Sequence, residues 1–138
     1  MLCVLKNNKK AIKTGGVFRG LCVDNRKFWR KEFLKDRYKL LAVYDENSKE
    51  LAGYVIYEEV EPFFRFHLVN FTQRQLRTAG GITERFMKGF VFPFCQERGL
   101  KKVICEVERR GMARKLERLG FAEVAETGVY IGRVPNVL

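Results

Sequence analysis

Two stretches of the sequence carry side chains that can do chemistry. In RTAGGITERF, residues 77–86, an arginine and two adjacent glycines stand just ahead of a helix-like run. A loop of that kind after a strand aims backbone N–H groups and the positive end of a helix dipole at one point, and glycine lets an anion approach the backbone. That is a phosphate cradle in outline, although a tight strand-to-helix turn has the same composition. In YEEVEPFFRFH, residues 57–67, three carboxylates (Glu58, Glu59, Glu61) and the sole histidine, His67, follow one another. Carboxylates and an imidazole are the groups that accept protons in general base catalysis. Strand alternation sends Glu58 and Glu59 to opposite faces, so one of them can face a substrate. Glu59 and His67 are the candidate bases. Tyr130, ahead of Tyr54 and Tyr57, is the candidate proton donor. Cys105 has no evident histidine partner, which argues against a thiol nucleophile.

Those residues need elements to hold them. VDNRKFWRKEFLKD (23–36) spaces Phe28, Trp29 and Phe33 along one helical face, with Asp24 or Asn25 as cap. KLLAVYD and ELAGYVIYEEV are β-rich and, joined by ENSK, predict a hairpin. FFRFHLVNF (63–71) is strand-like from its aromatic and branched content, with imperfect alternation. After the glycines, ITERFMKGFVFPFCQERG predicts a helix: Ile82, Phe86, Phe90 and Phe94 recur every four residues, with Met87 and Val91 beside them. Pro93 interrupts that run, and the bare backbone of Gly89 four residues earlier makes a kink the expected accommodation. KKVICEV (101–107) is a fourth strand. GMARKLERLGF is a short helix with Met112, Leu116 and Leu119 inward, and Gly120 is placed for a left-handed cap that folds Phe121 back. AEVAETGVYIGRV closes as a hairpin around ETG.

With 138 residues, 46% of them hydrophobic and 13% aromatic, the chain can fill one core, and no linker-like stretch divides it. A single domain over residues 1–138 is expected. The longest apolar stretch, residues 90–95, is far too short to cross a bilayer, and lysines follow a very short apolar run at the N-terminus. Neither a membrane span nor an export leader is expected. Cys3, Cys22, Cys95 and Cys105 form no CxxC pair, so the common zinc spacings are missing and no metal is expected. Reduced thiols and a cytoplasmic location are the corresponding expectation. The net charge of +11 is unevenly spread: residues 1–40 hold 12 basic and 3 acidic groups, residues 41–71 hold 2 and 6, and residues 72–138 hold 13 and 7. Such a chain can draw a polyanion to one surface and offer a cation an acidic patch on another.

In its order of strand, glycine loop, helix, strand and KLERLGF, the chain resembles the GNAT superfamily of N-acetyltransferases. The resemblance runs from about Lys39 to Arg133, with residues 1–38 matched loosely. It implies an α/β (α+β) fold with a mixed central sheet flanked by helices, whose C-terminal half runs helix, strand, helix, hairpin. The family's phosphate loop, Arg/Gln-x-x-Gly-x-Gly/Ala, aligns with Arg77, Thr78, Ala79, Gly80, Gly81 and Ile82. The resemblance implies that backbone N–H groups there hold the pyrophosphate of acetyl-CoA, and that Asn70, Phe71 and Thr72 pair with its pantetheine arm. Leu119, Gly120 and Phe121 match the later Leu-Gly-Phe signature.

Three positions depart from the pattern. Ile82 stands at the last small position of the loop, so its side chain must turn away from the phosphates. Arg109 stands where many members carry asparagine, and Leu116 where a tyrosine often serves as general acid. Leucine cannot donate a proton, so either another group does or the activity has been lost. The resemblance implies an N-acetyltransferase in which an amine, on a small molecule or a protein, attacks acetyl-CoA directly, with Glu59 or His67 as base and Tyr130 as acid. The alternative is a GNAT-like fold acting as a basic module that binds or modifies nucleic acid through residues 1–40 and 98–118. Weak nucleic-acid binding without sequence preference is expected.

Overall fold

The computed structural model describes residues 2–5, 38–45, 48–71, 81–107 and 110–136. The described strands are β1 (Leu2–Leu5), β2 (Tyr38–Tyr44), β3 (Leu51–Val60), β4 (Phe63–Phe71), β5 (Lys102–Glu106), β6 (Ala122–Glu123) and β7 (Val129–Arg133). They form one sheet in the order β1-β2-β3-β4-β5-β7-β6. Every pairing is antiparallel except β4 with β5. A parallel neighbour needs a crossover, and the helical run between β4 and β5 supplies it. That run comprises α1 (Ile82–Phe86), a π-helical turn (Met87–Val91) and α2 (Phe92–Arg98), while α3 (Arg110–Arg118) follows β5.

The expected hairpin of β2 and β3, the strands β4 and β5, and the closing hairpin of β6 and β7 are all present. Strand β1, which pairs Leu2 with Tyr44 through Leu5 with Leu41, was not expected from the sequence. The helix expected over residues 23–36 lies outside the described residues.

Alternation along the strands sorts the side chains onto two faces. One face carries Leu41, Val43, Val55, Tyr57, Phe64, Val103, Cys105 and Tyr130 into a core shared with the helices. From α1, the π-helical turn and α2 that core receives Ile82, Phe86, Met87, Val91, Phe92 and Cys95, and from α3 it receives Leu116. The other face carries Tyr38, Leu40, Ala42 and Ile56, all buried as well.

The long helix corrects one expectation. A four-residue period would bury Phe90 and Phe94 in line with Ile82 and Phe86, yet both are only half-buried against the core. The fully buried set instead steps from Ile82 to Phe86, Val91 and Cys95. The five-residue step is the π turn, in which the Phe92 N–H donates to the Met87 carbonyl. One extra residue per turn rotates the downstream face, and Pro93, which has no N–H to donate, falls just after it. The expected kink is therefore a π turn. Phe86, Phe90 and Phe94 form a stacked ladder, with ring centroids 5.6 and 5.5 Å apart, along the margin of the core.

Helix α3 ends as its sequence predicts. The Phe121 N–H donates to the Leu116 carbonyl and the Gly120 N–H to the Glu117 carbonyl, both at 3.0 Å, folding Phe121 back into the core. The bare Cα of Gly132 on β7 makes room for that ring, because any side chain there would overlap Phe121.

Candidate functional site

Strands β4 and β5 begin side by side and then part. They pair from Phe63 with Lys102 to Arg65 with Ile104 and no further among the described residues, although β4 continues to Phe71 and β5 to Glu106. From there on β5 keeps its antiparallel partner β7 through Glu106 and Val129. The parting leaves a slot in the plane of the sheet, with the backbone of residues 66–71 as one wall. An extended ligand with its own amides can lie against such an edge as an added strand does. Val69 fits this geometry: its register partner Val55 is wholly buried, yet Val69 is 41% exposed.

A bulge sits where the two strands part. The β3–β4 register runs Ile56 with Leu68 and then Tyr57 with Phe66, so it steps over His67. An extra residue of this kind re-aims its side chain and bends the strand. His67 Nε2 lies 3.0 Å from Glu58 Oε1, and the Tyr38 ring meets the imidazole edge-on, with centroids 4.8 Å apart and an interplanar angle of 86°. Tyr38 and Glu58 are themselves opposite each other across β2 and β3. Three adjacent strands thus bring a phenol, a carboxylate and an imidazole together.

Glu59 points elsewhere, as the alternation rule requires. It lies beside the β3–β4 turn at the closed end of the slot, 3.5 Å from Arg98 Nη1, and Arg98 in turn lies 4.9 Å from the Phe94 ring centroid. Tyr130 lies on β7 opposite Cys105, at the point where β5 has left β4. It is buried in the core on the helical face, the opposite side of the sheet from His67 and Glu58. Burial raises the Tyr130 pKa, and the carboxylates of Glu123 and Glu117 add to the effect, so the phenol keeps its proton at neutral pH.

At the open end, Gly81 caps α1 with φ 59° and no side-chain cap bond. That backbone conformation suits glycine. Ile82 is wholly buried in the core, so its side chain is turned away from the loop. Among the described residues, three buried side-chain polar atoms have no hydrogen-bond partner, and all three lie on the first turn of α1: Thr83 Oγ1, Arg85 Nε and Arg85 Nη2. Arg85 Nη1 lies 3.9 Å from Asp45 at the end of β2. Buried polar atoms are normally satisfied, and each one left unpaired costs about 1–3 kcal/mol. A phosphate would satisfy a hydroxyl, a guanidinium and a bare helix N-terminus together. The residues present therefore fit the pyrophosphate end of acetyl-CoA.

Asn70 stands opposite Tyr54 and Phe71 opposite Gly53, at the far end of the β4 wall. Thr72, Arg77, Thr78, Ala79 and Gly80 lie outside the described residues. Sequence reasoning missed Glu58 as the partner of His67, and it missed Thr83 and Arg85. Their only sequence signal was their place one and three residues after Ile82, on the turn that follows the glycines.

Among the described residues there is no group of three or more His, Cys, Asp or Glu side chains placed to hold a metal ion, and no helix is long and apolar enough to cross a membrane. Burial pushes the thiols of Cys95 and Cys105 up to about 12, with Glu59 adding to the effect at Cys95. Neither thiol is in a disulfide. Both are expected to resist iodoacetamide near neutral pH while the chain is folded and to react in denaturant, which peptide mass spectrometry reads directly.

No known protein-family model matches this sequence, and no curated protein sequence matches it. Solved structures do match. Tetrahymena GCN5 superposes with a TM-score of 0.71 at 11% identity, covering 100% of this chain and 99% of that one. A GNAT-family acetyltransferase from Staphylococcus aureus gives 0.63 at 9% identity, covering 97% and 99%. The ribosomal-protein-S18-alanine N-acetyltransferase of Escherichia coli gives 0.62 at 14% identity, covering 96% and 94%. At such identities the likeness is one of fold.

Proposed function

We infer that the chain, which has the GNAT acetyltransferase fold, moves an acetyl group from acetyl-CoA to an amine by direct attack. The observation that carries this reading is the parting of β4 from β5, with a histidine near the point where they part and three orphaned buried polar atoms beside the glycine loop. Fold alone does not assign an activity, so the weight falls on that constellation.

When bound, acetyl-CoA supplies an acyl carbon already activated as a thioester. The chain's own groups do the rest. The backbone of residues 66–71 aligns the ligand along β4, and the loop ending at Gly81, with Thr83 and Arg85, holds its phosphates. His67 takes a proton from the incoming amine as the C–N bond forms. As the C–S bond breaks a proton returns to the departing sulfur, and Tyr130 is the candidate donor for the role that Leu116 cannot fill. A base and an acid on opposite faces of the sheet suit a thioester lying in the slot between them. The acceptor is an amine on a small molecule or a protein. The E. coli neighbour is by name a ribosomal-protein-S18-alanine N-acetyltransferase, which supports the second class as a place to begin.

Gly81→Asp tests the phosphate end. Relative to glycine a cap carboxylate contributes only a few tenths of a kcal/mol, so a side chain at positive φ is expected to cost about 1–2 kcal/mol of stability. In the folded variant the added negative charge beside the phosphates should weaken acetyl-CoA binding by about tenfold or more in titration calorimetry, well beyond that modest loss. Parental affinity in this variant would place the phosphates elsewhere.

Turnover tests the function itself. Thiol release from acetyl-CoA should depend on an added amine when polyamines, aminoglycosides and lysine or N-terminal peptides are screened, and it should persist at moderate salt. No turnover with any acceptor, together with tight nucleic-acid binding that collapses as salt rises, would favour a nucleic-acid module instead.

A further inference from the structure

We propose that Asp45 is the positioning residue for Arg85: its carboxylate holds Nη1 from the β2–β3 turn and so sets the opposite edge of the guanidinium, Nε and Nη2, to grip the pyrophosphate of acetyl-CoA. The proposal rests on the acetyltransferase reading above and deepens it. The two orphaned nitrogens of Arg85 are not a random pair. Nε and Nη2 carry N–H bonds that run parallel along one edge of the planar fork, the edge that meets two oxygens of one phosphate at once. A whole bidentate edge is thus buried without a partner, while Nη1 faces Asp45 Oδ2 at 3.9 Å, an ion pair rather than a hydrogen bond. Arginine suits this place, because a lysine offers a point charge and no edge.

The fold brings the two residues together at one end of the sheet. Tyr44, which ends β2, pairs with Leu51, and Gly53 stands opposite Phe71, which ends β4. The Phe71 ring meets Phe86 of α1 with centroids 5.8 Å apart, so the β2–β3 turn and the first turn of α1 lie at the same end. Arg85 stands one helical turn after the glycine cap, its N–H donating to the Gly81 carbonyl at 3.1 Å. Asp45 is held in its turn. Its Oδ1 accepts from the Ser48 N–H at 3.3 Å, its N–H donates to the Glu50 carbonyl at 2.9 Å, and its carbonyl accepts from the Lys49 N–H at 3.0 Å. The Asp45 side chain is 12% exposed against 36% for Arg85, so the carboxylate is the fixed member of the pair and the guanidinium the one it places. Neighbouring Glu84 is paired with Lys88 at 2.8 Å on the exposed side of the helix.

The sign of one substitution separates positioning from charge. Asp45→Asn keeps an oxygen for the Ser48 N–H and removes the negative charge. If Asp45 acted through that charge alone, neutralising it would tighten the binding of polyanionic acetyl-CoA, whereas a positioning role predicts weaker binding. Titration calorimetry is expected to show acetyl-CoA affinity lowered by about threefold or more in Asp45→Asn, and by about tenfold or more in Arg85→Lys, which keeps the cation and loses the edge. Asp45→Ser, whose hydroxyl can also accept from the turn, is the second variant and is expected to behave as Asp45→Asn. Added to Arg85→Lys, Asp45→Asn should cost little more, because the two residues act as a unit. S-acetylpantetheine, which lacks every phosphate, is the control: NMR titration should show its affinity changed by no more than about twofold in each variant. Acetyl-dephospho-CoA, which keeps the pyrophosphate alone, should lose affinity as acetyl-CoA does; a loss confined to acetyl-CoA would move the fork to the ribose phosphate and overturn the assignment. Parental or tighter acetyl-CoA affinity in Asp45→Asn overturns the positioning role, and so does an equal loss on S-acetylpantetheine, which a merely structural part would produce. A parent protein that does not bind acetyl-CoA overturns the acetyltransferase reading, and this proposal with it.

Discussion

His67→Ala is expected to lower kcat for amine acetylation by about 10²–10⁴-fold while acetyl-CoA affinity changes by no more than about threefold. The split follows from where the residue sits. On the proposed reading the ligand is held along the β4 backbone beyond Phe66 and at the loop ending at Gly81, and neither contact uses the imidazole. On that reading alanine removes the group that would accept the amine proton, and among the described residues Glu58 and Tyr38 lie beside it. Without the ring, the 3.0 Å contact to Glu58 is gone as well. Steady-state kinetics with both substrates varied separates the two effects. A fall in affinity with kcat preserved would make His67 part of the binding surface rather than the base.

Leu116→Ala is expected to destabilise the fold by roughly 2–5 kcal/mol, with melting lowered on the order of 10 °C. Leu116 is 2% exposed and packs in the core with Phe121, whose N–H it receives at the end of α3. Truncation leaves a cavity beneath the turn that fixes Phe121, so the helix end and the last hairpin loosen together. The complementary variant is as informative. Leu116→Tyr must fit a larger ring and a hydroxyl into a filled site, so it is expected to lose about 1–3 kcal/mol to overpacking and to gain no rate. A large rate gain in a folded Leu116→Tyr would show that the parent lacks an efficient proton donor, and that Tyr130 does not serve as one. Thermal melts alongside turnover distinguish the two outcomes.

Much of the fold was legible because its patterns are local. The β2–β3 hairpin, the helical run after the glycines and the Leu119-Gly120-Phe121 turn each carry their signal within a dozen residues. Three features were not legible, each for a physical reason. β1 is four residues long, and among the described residues it is recognised by its pairing with β2. The π turn left the four-residue recurrence of Phe86, Phe90 and Phe94 intact in the sequence, yet it rotated the buried face onto Val91 and Cys95. The bulge at His67 did leave a trace, the broken alternation of FFRFHLVNF, although only the partner strand shows which residue is extra.

The site divides in the same way. The glycine loop and the bulge histidine stand out by residue type. Glu58 was separable from Glu59 by face but not by side, because the choice depends on where β4 lies. The orphaned atoms of Thr83 and Arg85 become visible only once the core has buried them. The slot itself is the absence of a pairing between two strands more than thirty residues apart, and no local pattern encodes that.

The central claim is that acetyl-CoA lies in the slot between β4 and β5, against the backbone of residues 66–71. Amide hydrogen exchange with and without saturating acetyl-CoA measures this directly, since a ligand paired to an open strand edge slows exchange at that edge. The account predicts protection concentrated in peptides covering residues 66–71 and the start of α1 at Ile82–Phe86, with β2 and the β6–β7 hairpin unchanged. Unchanged exchange across residues 66–71 at saturating ligand, or protection confined to another part of the sheet, would contradict it.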